Sequence, residues 1–175
     1  MKKNTHFYLF LTFVLLALTS CSTTFDENAN ALNYDNLDAS SYTSPVVLRI
    51  NSEVFNTINT NRLNSINTSD SFTINSANKD GDILEVSVSY SGGCIQHSFE
   101  VIWDGIVYTD PPCYMNLIIT HNSNNDTCEA LITETISINL KDLIGENNYK
   151  DNCTYNIFNS NNSTKTADVI IESNN

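Results

Sequence analysis

Apolar and polar residues alternate along much of this chain. In residues 84–90 every second residue is apolar and the residues between them are polar or charged. The same period of two recurs at residues 95–103, 115–121 and 130–140. Glu134 is the one charged residue on the apolar face of the last stretch. A period of two is typical of a β-strand with one buried face, because successive side chains of a strand point to opposite faces. Shorter predicted strands cover residues 46–50, 71–75, 154–158 and 167–172.

Turn-forming residues separate the predicted strands. They occur at Asp80-Gly81, Gly92-Gly93, Asp104-Gly105 and Asp110-Pro111-Pro112. Helical periodicity is almost absent: residues 51–67 are expected to form a short helix or an irregular crossover, and residues 141–148 one helical turn. Short strands at this spacing predict an all-β fold, an antiparallel β-sandwich of immunoglobulin-like architecture.

The first twenty residues have the pattern of a secretory signal peptide. Lys2 and Lys3 precede an apolar run over residues 7–18, and small residues lead to Cys21. The run is shorter than the ~20 apolar residues that cross a bilayer. Leu-Thr-Ser before Cys21 resembles the lipobox of bacterial lipoproteins, whose cysteine is acylated and becomes the new amino terminus. The alternative is an ordinary signal peptide followed by an incidental cysteine.

These patterns divide the chain into three parts. Residues 1–20 are the predicted lipoprotein signal peptide, residues 21–45 the lipidated cysteine with a flexible, polar tether, and residues 46–175 the β-sandwich domain. Acyl chains on Cys21 would attach the protein to a membrane of the bacterial cell envelope. We expect the outer membrane, with the domain facing either the periplasm or the cell surface.

The acidic composition excludes one class of partner. The chain has a net charge of -12, and loss of the signal peptide changes it to -14 because Lys2 and Lys3 leave and no acidic residue does. Such a surface repels phosphate backbones, and no basic patch is present in the sequence. Nucleic-acid binding is therefore not expected.

Four cysteines remain besides Cys21, and an exported protein with an even number of cysteines favours disulfides. Four cysteines allow three pairings, and their spacing alone does not choose among them. Cys94 and Cys128 each open a predicted strand, whereas Cys113 and Cys153 lie in loop-like sequence. We predict that Cys94 pairs with Cys128 and that Cys113 pairs with Cys153.

A metal site is the competing interpretation of the same region. Cys94-x-x-His97 and His121-x6-Cys128 supply two sulfurs and two imidazoles, which suits Zn²⁺ or copper. His97 and His121 could meet at the strand ends, with Asp126 as a third ligand or as a partner of the histidines. An oxidising compartment favours the disulfide, and the histidines would then be hydrogen-bonded core residues.

The residues at these strand ends also carry a resemblance. The pattern Gly92-Gly93-Cys94-x-x-His97-x-Phe99, followed by His121 and Asp126-x-Cys128-Glu129-Ala130, resembles a family of small, uncharacterised lipoproteins of Bacteroidetes-type bacteria. The family's pattern includes Cys94, His97, His121, Asp126 and Cys128 and omits the other two cysteines. The resemblance implies no established activity.

The functional expectation is a lipid-anchored accessory or binding module without catalytic activity. Its partner would be a protein or a glycan. The sequence contains no G-x-S-x-G elbow, P-loop or dinucleotide fingerprint. The alternatives are a metal-binding envelope protein that uses His97 and His121 and a hydrolase that depends on one of these histidines.

Overall fold

A computed structural model describes residues 43–172 of the chain, so the predicted signal peptide and Cys21 lie outside the described residues. Within this range eight strands and three short helices follow one another along the chain. The strands are β1 (Val46–Ile50), β2 (Thr73–Asp80), β3 (Ile83–Gly92), β4 (Ser98–Trp103), β5 (Tyr114–Asn122), β6 (Ala130–Asn139), β7 (Thr154–Asn159) and β8 (Val169–Ile171). The helices are α1 (Ser52–Leu63), α2 (Leu140–Ile144) and α3 (Tyr149–Asn152). No helix among the described residues is long and apolar enough to cross a membrane.

The strands form two sheets, which confirms the predicted all-β sandwich. The larger sheet has the order β1-β4-β5-β7-β8 and the smaller one the order β2-β3-β6. The smaller sheet is antiparallel, but β1 pairs with β4 and β5 pairs with β7 in parallel. Parallel neighbours need a crossover connection, and here the crossovers run through the other sheet and the helices. The alternation of residues does not reveal strand direction, so the sequence did not predict these two parallel pairs.

The main core lies between the two sheets. Its inward side chains come from alternate positions of the long strands, as a period of two requires. The fully enclosed members include Leu84, Val86, Val88, Val101, Met115, Leu117, Ile119, Ile136, Ile138, Tyr155 and Ile157. Burial of this apolar surface is the main favourable contribution to folding.

Helix α1 covers the outer face of the larger sheet. Phe55 packs there against Ile102 and Ile118 in a second, smaller cluster. This explains why Val101-Ile102-Trp103 and Leu117-Ile118-Ile119 are continuously apolar, since strands covered on both faces need not alternate. The side chain of Asn51 caps the helix by accepting a hydrogen bond from the backbone N–H of Val54.

The strand register brings four strand ends to one end of the sandwich. In the smaller sheet Gly92 at the end of β3 pairs with Ala130 at the start of β6. In the larger sheet Ser98 at the start of β4 pairs with Asn122 at the end of β5. The loops that join β3 to β4 and β5 to β6 therefore meet at this end. They carry Cys94, His97, Asp126 and Cys128.

Candidate functional site

The two loops are joined by the carboxylate of Asp126. Its Oδ2 accepts hydrogen bonds from three consecutive backbone N–H groups, those of Gly93 (2.9 Å), Cys94 (2.9 Å) and Ile95 (3.0 Å). Its Oδ1 accepts one from the backbone N–H of Cys128 at 2.9 Å. Gly93 has a φ of +113°, which favours glycine. Successive amides that converge on one anion form a nest, and in this protein the chain's own carboxylate fills it.

These hydrogen bonds keep Asp126 ionised. Donation from the amide of Cys128 is the largest cause that lowers the pKa of this carboxyl well below its usual range. Burial opposes the shift, and the other amides and the ring of His97 reinforce it. The side chain exposes 0% of its surface because the loops enclose it, although the residue as a whole is only half-buried. Asp126 is thus a fixed negative charge.

His97 lies directly behind Asp126 and contacts it through one ring nitrogen. Its Nε2 is 3.2 Å from Asp126 Oδ2, and its Nδ1 is 2.8 Å from Nε2 of His121. An ionised carboxylate can only accept a hydrogen bond. In the contact with Asp126 the hydrogen is therefore assigned to Nε2 of His97. In the neutral ring, Nδ1 then accepts from Nε2–H of His121. The three side chains form one hydrogen-bonded chain.

His121 ends this chain inside the core. Its side chain stacks on Phe99, with ring centroids 4.8 Å apart, and Phe72 packs on it at 5.6 Å. Burial lowers the pKa of His121, and the neighbouring His97 lowers it further. Nδ1 of His121 is buried without a hydrogen-bond partner, which fits the unprotonated nitrogen of a neutral ring. His121 therefore contacts His97 from the core side of the site. It does not reach solvent, since it exposes 3% of its surface.

Gly92 makes the close contact of His97 and Asp126 possible. A Cβ at this position would lie 2.5 Å from both Cε1 and Nε2 of His97 and 3.1 Å from Oδ2 of Asp126. Gly92 was predicted to lie in a turn with Gly93, but it is the last residue of β3. Position 92 requires glycine because there is no space for a side chain. The local sequence does not reveal this requirement.

A second carboxylate, that of the half-buried Glu134, contacts Tyr90, the neighbour of His97. Its Oε1 accepts hydrogen bonds from the hydroxyl of Tyr90 at 2.7 Å and from the hydroxyl of Ser44 at 2.6 Å. The backbone N–H of Ser44 donates to Oε2 at 2.9 Å. The Tyr90 ring stacks on His97 with centroids 4.4 Å apart. Burial, reinforced by Glu134, raises the pKa of Tyr90 to about 12, so the hydroxyl remains a donor.

Ser44 is a site residue that sequence reasoning missed. It falls in the segment assigned to the tether at residues 21–45, yet it is buried and bonded to Glu134. The one signal that could have found it is Glu134, because a charge on an apolar strand face needs polar partners. The chain thus joins the domain at this site.

A surface cleft of about 440 Å³ opens next to His97. Its walls are mainly apolar and carry a few polar groups. They are formed by Ser44, Tyr90, Gly93, Cys94, Ile95, Gln96, His97 and Ile132. The volume is within the roughly 300–1,000 Å³ typical of small-ligand sites.

The disulfides join the pairs that the sequence analysis predicted. Cys94 is bonded to Cys128, with Cα atoms 5.9 Å apart, and this bridge links the two loops that Asp126 also joins. Cys113 is bonded to Cys153, with a Cα separation of 4.8 Å. The second bridge lies at the opposite end of the larger sheet, where Cys113 and Cys153 precede the parallel strands β5 and β7.

The structure brings His97, His121 and Asp126 together, but as a chain and not around a common point. The nitrogens of His97 contact different partners, and the two imidazoles donate and accept between themselves. Among residues 43–172, the atoms of Cys94, Asp126 and Cys128 that could hold a metal lie within 4.8 Å of one another. Both sulfurs are in the disulfide. Zn²⁺ or copper binding stays a prediction, and the contacts support hydrogen-bonded histidines.

No protein-family model and no curated protein sequence matches this chain. Solved structures that are similar to it include a protein of unknown function (DUF1344) from Bacteroides vulgatus, with 18% identity, a TM-score of 0.47, and coverage of 74% of this chain and 57% of that one. A NigD-like immunity protein from Bacteroides caccae has 14% identity, a TM-score of 0.43 and coverage of 67% and 51%. A putative toxin-related protein from Parabacteroides distasonis has 19% identity, a TM-score of 0.41 and coverage of 67% and 57%.

This chain thus spans between 51% and 57% of the length of those three proteins. The three proteins come from Bacteroides and Parabacteroides species. The match to the motif of the lipoprotein family and the lipid anchor stay predictions.

We expect Gly92→Ala to separate His97 from Asp126, because the new methyl group would overlap the imidazole ring. Overpacking of this kind costs about 1–3 kcal/mol, which urea unfolding would measure. The NMR signal of the hydrogen on Nε2 of His97 should also move. Ser91→Ala, at the exposed neighbouring position, is the control, and equal effects of the two substitutions would contradict the crowding.

Acid should destabilise the protein in two pH ranges. The lowered pKa of His121 means that the unfolded chain takes up a proton first, so stability falls as the pH drops below ~6.5. The lowered pKa of Asp126 contributes stability above ~3.9 that is lost as the pH falls further. Urea unfolding between about pH 8 and about pH 3 would measure both slopes. Asp126→Asn should reduce the slope of stability against pH in the more acidic range. Asp110→Asn, at an exposed site, is the control and should leave that slope as it is. An unchanged slope in Asp126→Asn would show that Asp126 is not the group responsible.

Proposed function

We propose that this protein is a non-catalytic binding module, attached to the cell envelope through a lipid on Cys21, that recognises a partner in the cleft beside His97. The observation that carries this proposal is the construction of the cleft. Much of its wall is the loop between β3 and β4, residues 93–97, which is held in place by Asp126, by the Cys94–Cys128 disulfide and by the buried histidines. Tyr90 and Ile132 extend the wall from strands β3 and β6. A preformed cleft binds with less loss of conformational freedom than mobile loops do.

The contacts of the titratable groups favour binding over catalysis. Both ring nitrogens of His97 are engaged, and its side chain exposes 1% of its surface. A general base needs a nitrogen within hydrogen-bond reach of a reacting proton. The hydroxyls of Tyr90 and Ser44 are likewise committed to Glu134. What the site offers to a partner is shape and apolar surface, such as Ile95, which is 49% exposed.

The lipobox-like sequence before Cys21 supports the anchor. Residues 22–42 lie between the predicted lipid and the described domain and can span at most roughly 70 Å. Because the chain joins the domain at Ser44, on the wall of the cleft, the tether reaches the domain beside the proposed binding surface. We propose an outer-membrane location in the bacterial cell envelope, with a protein as the partner.

Binding in the cleft can be tested by blocking it. We expect peptides from a panel of varied sequence, added to the full mature chain, to shift the NMR amide signals of Gly93–His97 and Ile132. Ile132→Trp should abolish these shifts because the indole fills the cleft. Leu131→Trp is the matched control, since Leu131 is the neighbouring residue, is 79% exposed and does not line the cleft. Shifts that persist in Ile132→Trp would show that the partner binds elsewhere.

The anchor can be tested by fractionation. Cys21→Ala should release the protein from the membrane fraction into the soluble fraction, because acyl chains supply the apolar surface that holds it there. The mass of the wild-type amino-terminal peptide should increase by that of the acyl groups. A variant that stays membrane-bound would show that the attachment does not depend on Cys21.

A further inference from the structure

The hydrogen-bond donors in the cleft wall are almost all used within the protein. The N–H groups of Gly93, Cys94 and Ile95 donate to Asp126. The amide of Gln96 donates one hydrogen to the carbonyl of Thr43, at 3.4 Å. The hydroxyls of Ser44 and Tyr90 donate to Glu134, and Nε2–H of His97 faces Asp126. What remains at the wall is one hydrogen of the Gln96 amide and a set of acceptor oxygens, on the exposed Gln96 and on Ser44 and Tyr90, which are 6% and 8% exposed.

Two carboxylates, those of Glu134 and Asp126, lie behind this wall. No lysine or arginine among the described residues forms an ion pair with either of them, and the imidazole of His97 is the one basic side chain there within pairing distance of Asp126. Both charges act on Tyr90: its pKa is raised by burial first, and the negative charges of Glu134 and Asp126 add to the shift. The two carboxylates therefore act on the Tyr90 side of the cleft wall.

In the described part of the chain, no lysine or arginine lines the cleft. Lys79, Lys141 and Lys150 form ion pairs around Asp82 and Asp151. Asp82 lies just before β3, and the cleft lies at the far end of that strand, roughly 30 Å away at about 3.3 Å per residue. Arg62 is buried against the carbonyls of Asn162 and Thr164 and is also occupied.

We infer that the cleft takes a basic side chain, lysine or arginine, from a protein partner. This inference rests on the proposed binding function and names its ligand. The aliphatic stem would pack on the apolar side chains Ile95 and Ile132, and the cationic tip would donate to the acceptor oxygens in front of Glu134. Arginine, with five N–H donors and no acceptor, matches a wall that offers acceptors. The net charge of -12 would also steer a basic partner toward the protein.

The matched probes are peptides with one central arginine between varied apolar residues and the same peptides with citrulline. Citrulline has almost the same shape and no charge, so the pair isolates the cation. Each would be titrated into the full mature chain at about 20 mM and about 500 mM NaCl. We expect the arginine peptides to bind at least about tenfold more tightly at low salt, as hydrogen bonds to a charged group imply. The difference should shrink at high salt.

Two substitutions locate the effect. Glu134→Gln keeps an acceptor for Tyr90 but removes the charge, and should reduce the preference for arginine to less than about threefold. Glu85→Gln makes the same change at an exposed position of the same sheet and should leave it intact. If Glu134→Gln does not fold, the comparison of the arginine and citrulline peptides on the unaltered protein still shows whether the cleft prefers a basic side chain.

The outcomes separate the two proposals. If arginine and citrulline peptides bind the cleft equally, or a neutral oligosaccharide binds there in their place, the basic side chain is the wrong ligand while the binding function stands. If neither these peptides nor any member of the broader panel shifts the signals of the cleft, both proposals are overturned.

Discussion

The carboxylate of Asp126 is the contact on which this end of the protein depends. It accepts hydrogen bonds from four backbone amides of two loops and contacts the ring of His97. Loops that carry unpaired amides are costly to bury, and one side chain satisfies four of them. Because the same oxygen faces His97, the order of the loops and the position of the imidazole are coupled. The Cys94–Cys128 bridge closes the same two loops covalently.

The two histidines are explained by this arrangement without assigning them a reaction. His97 lies between the charged loop anchor and the aromatic core, and His121 connects it to Phe99 and Phe72. An imidazole suits this place because it can donate on one side, accept on the other and still stack on aromatic rings. Gly92 is the matching adaptation of the backbone, since any side chain at that position would occupy the space of the ring.

The function that we propose depends on the groups that these contacts leave unused. Internal carboxylates accept hydrogen bonds from the N–H groups of the loop and from the hydroxyls of Tyr90 and Ser44. The cleft beside them has mainly apolar walls with a few acceptor oxygens, and two carboxylates lie behind it. Ser44, which belongs to the segment predicted to be the tether, lies on the same wall. Because the hydrogen-bond donors near the cleft are mostly used within the protein, the cleft is suited to a ligand that donates hydrogen bonds. This links the loop anchor to the recognition that we propose.

Local patterns in the sequence were enough to locate most of the strands, since β1, β5 and β6 occupy nearly the predicted residues and period-two alternation is a property of the strand itself. The strand predicted over 71–75 instead runs over Thr73–Asp80, and its second half was missed because that half is mostly polar and has no apolar alternation. The strand predicted over 95–103 begins only at Ser98, because the amides before it donate to Asp126, 31 or more residues away. Helix α1, left open as a helix or a crossover, has a weak pattern because only a few of its residues face the sheet. The sequence also brought forward Cys94, His97, His121, Asp126 and Cys128 as the candidate site. Tertiary structure decided the rest: the roles of Gly92, Ser44 and Glu134, the parallel strand pairs and the direction of each hydrogen bond. These features depend on which distant segments of the chain come into contact, and a local sequence pattern does not contain that information.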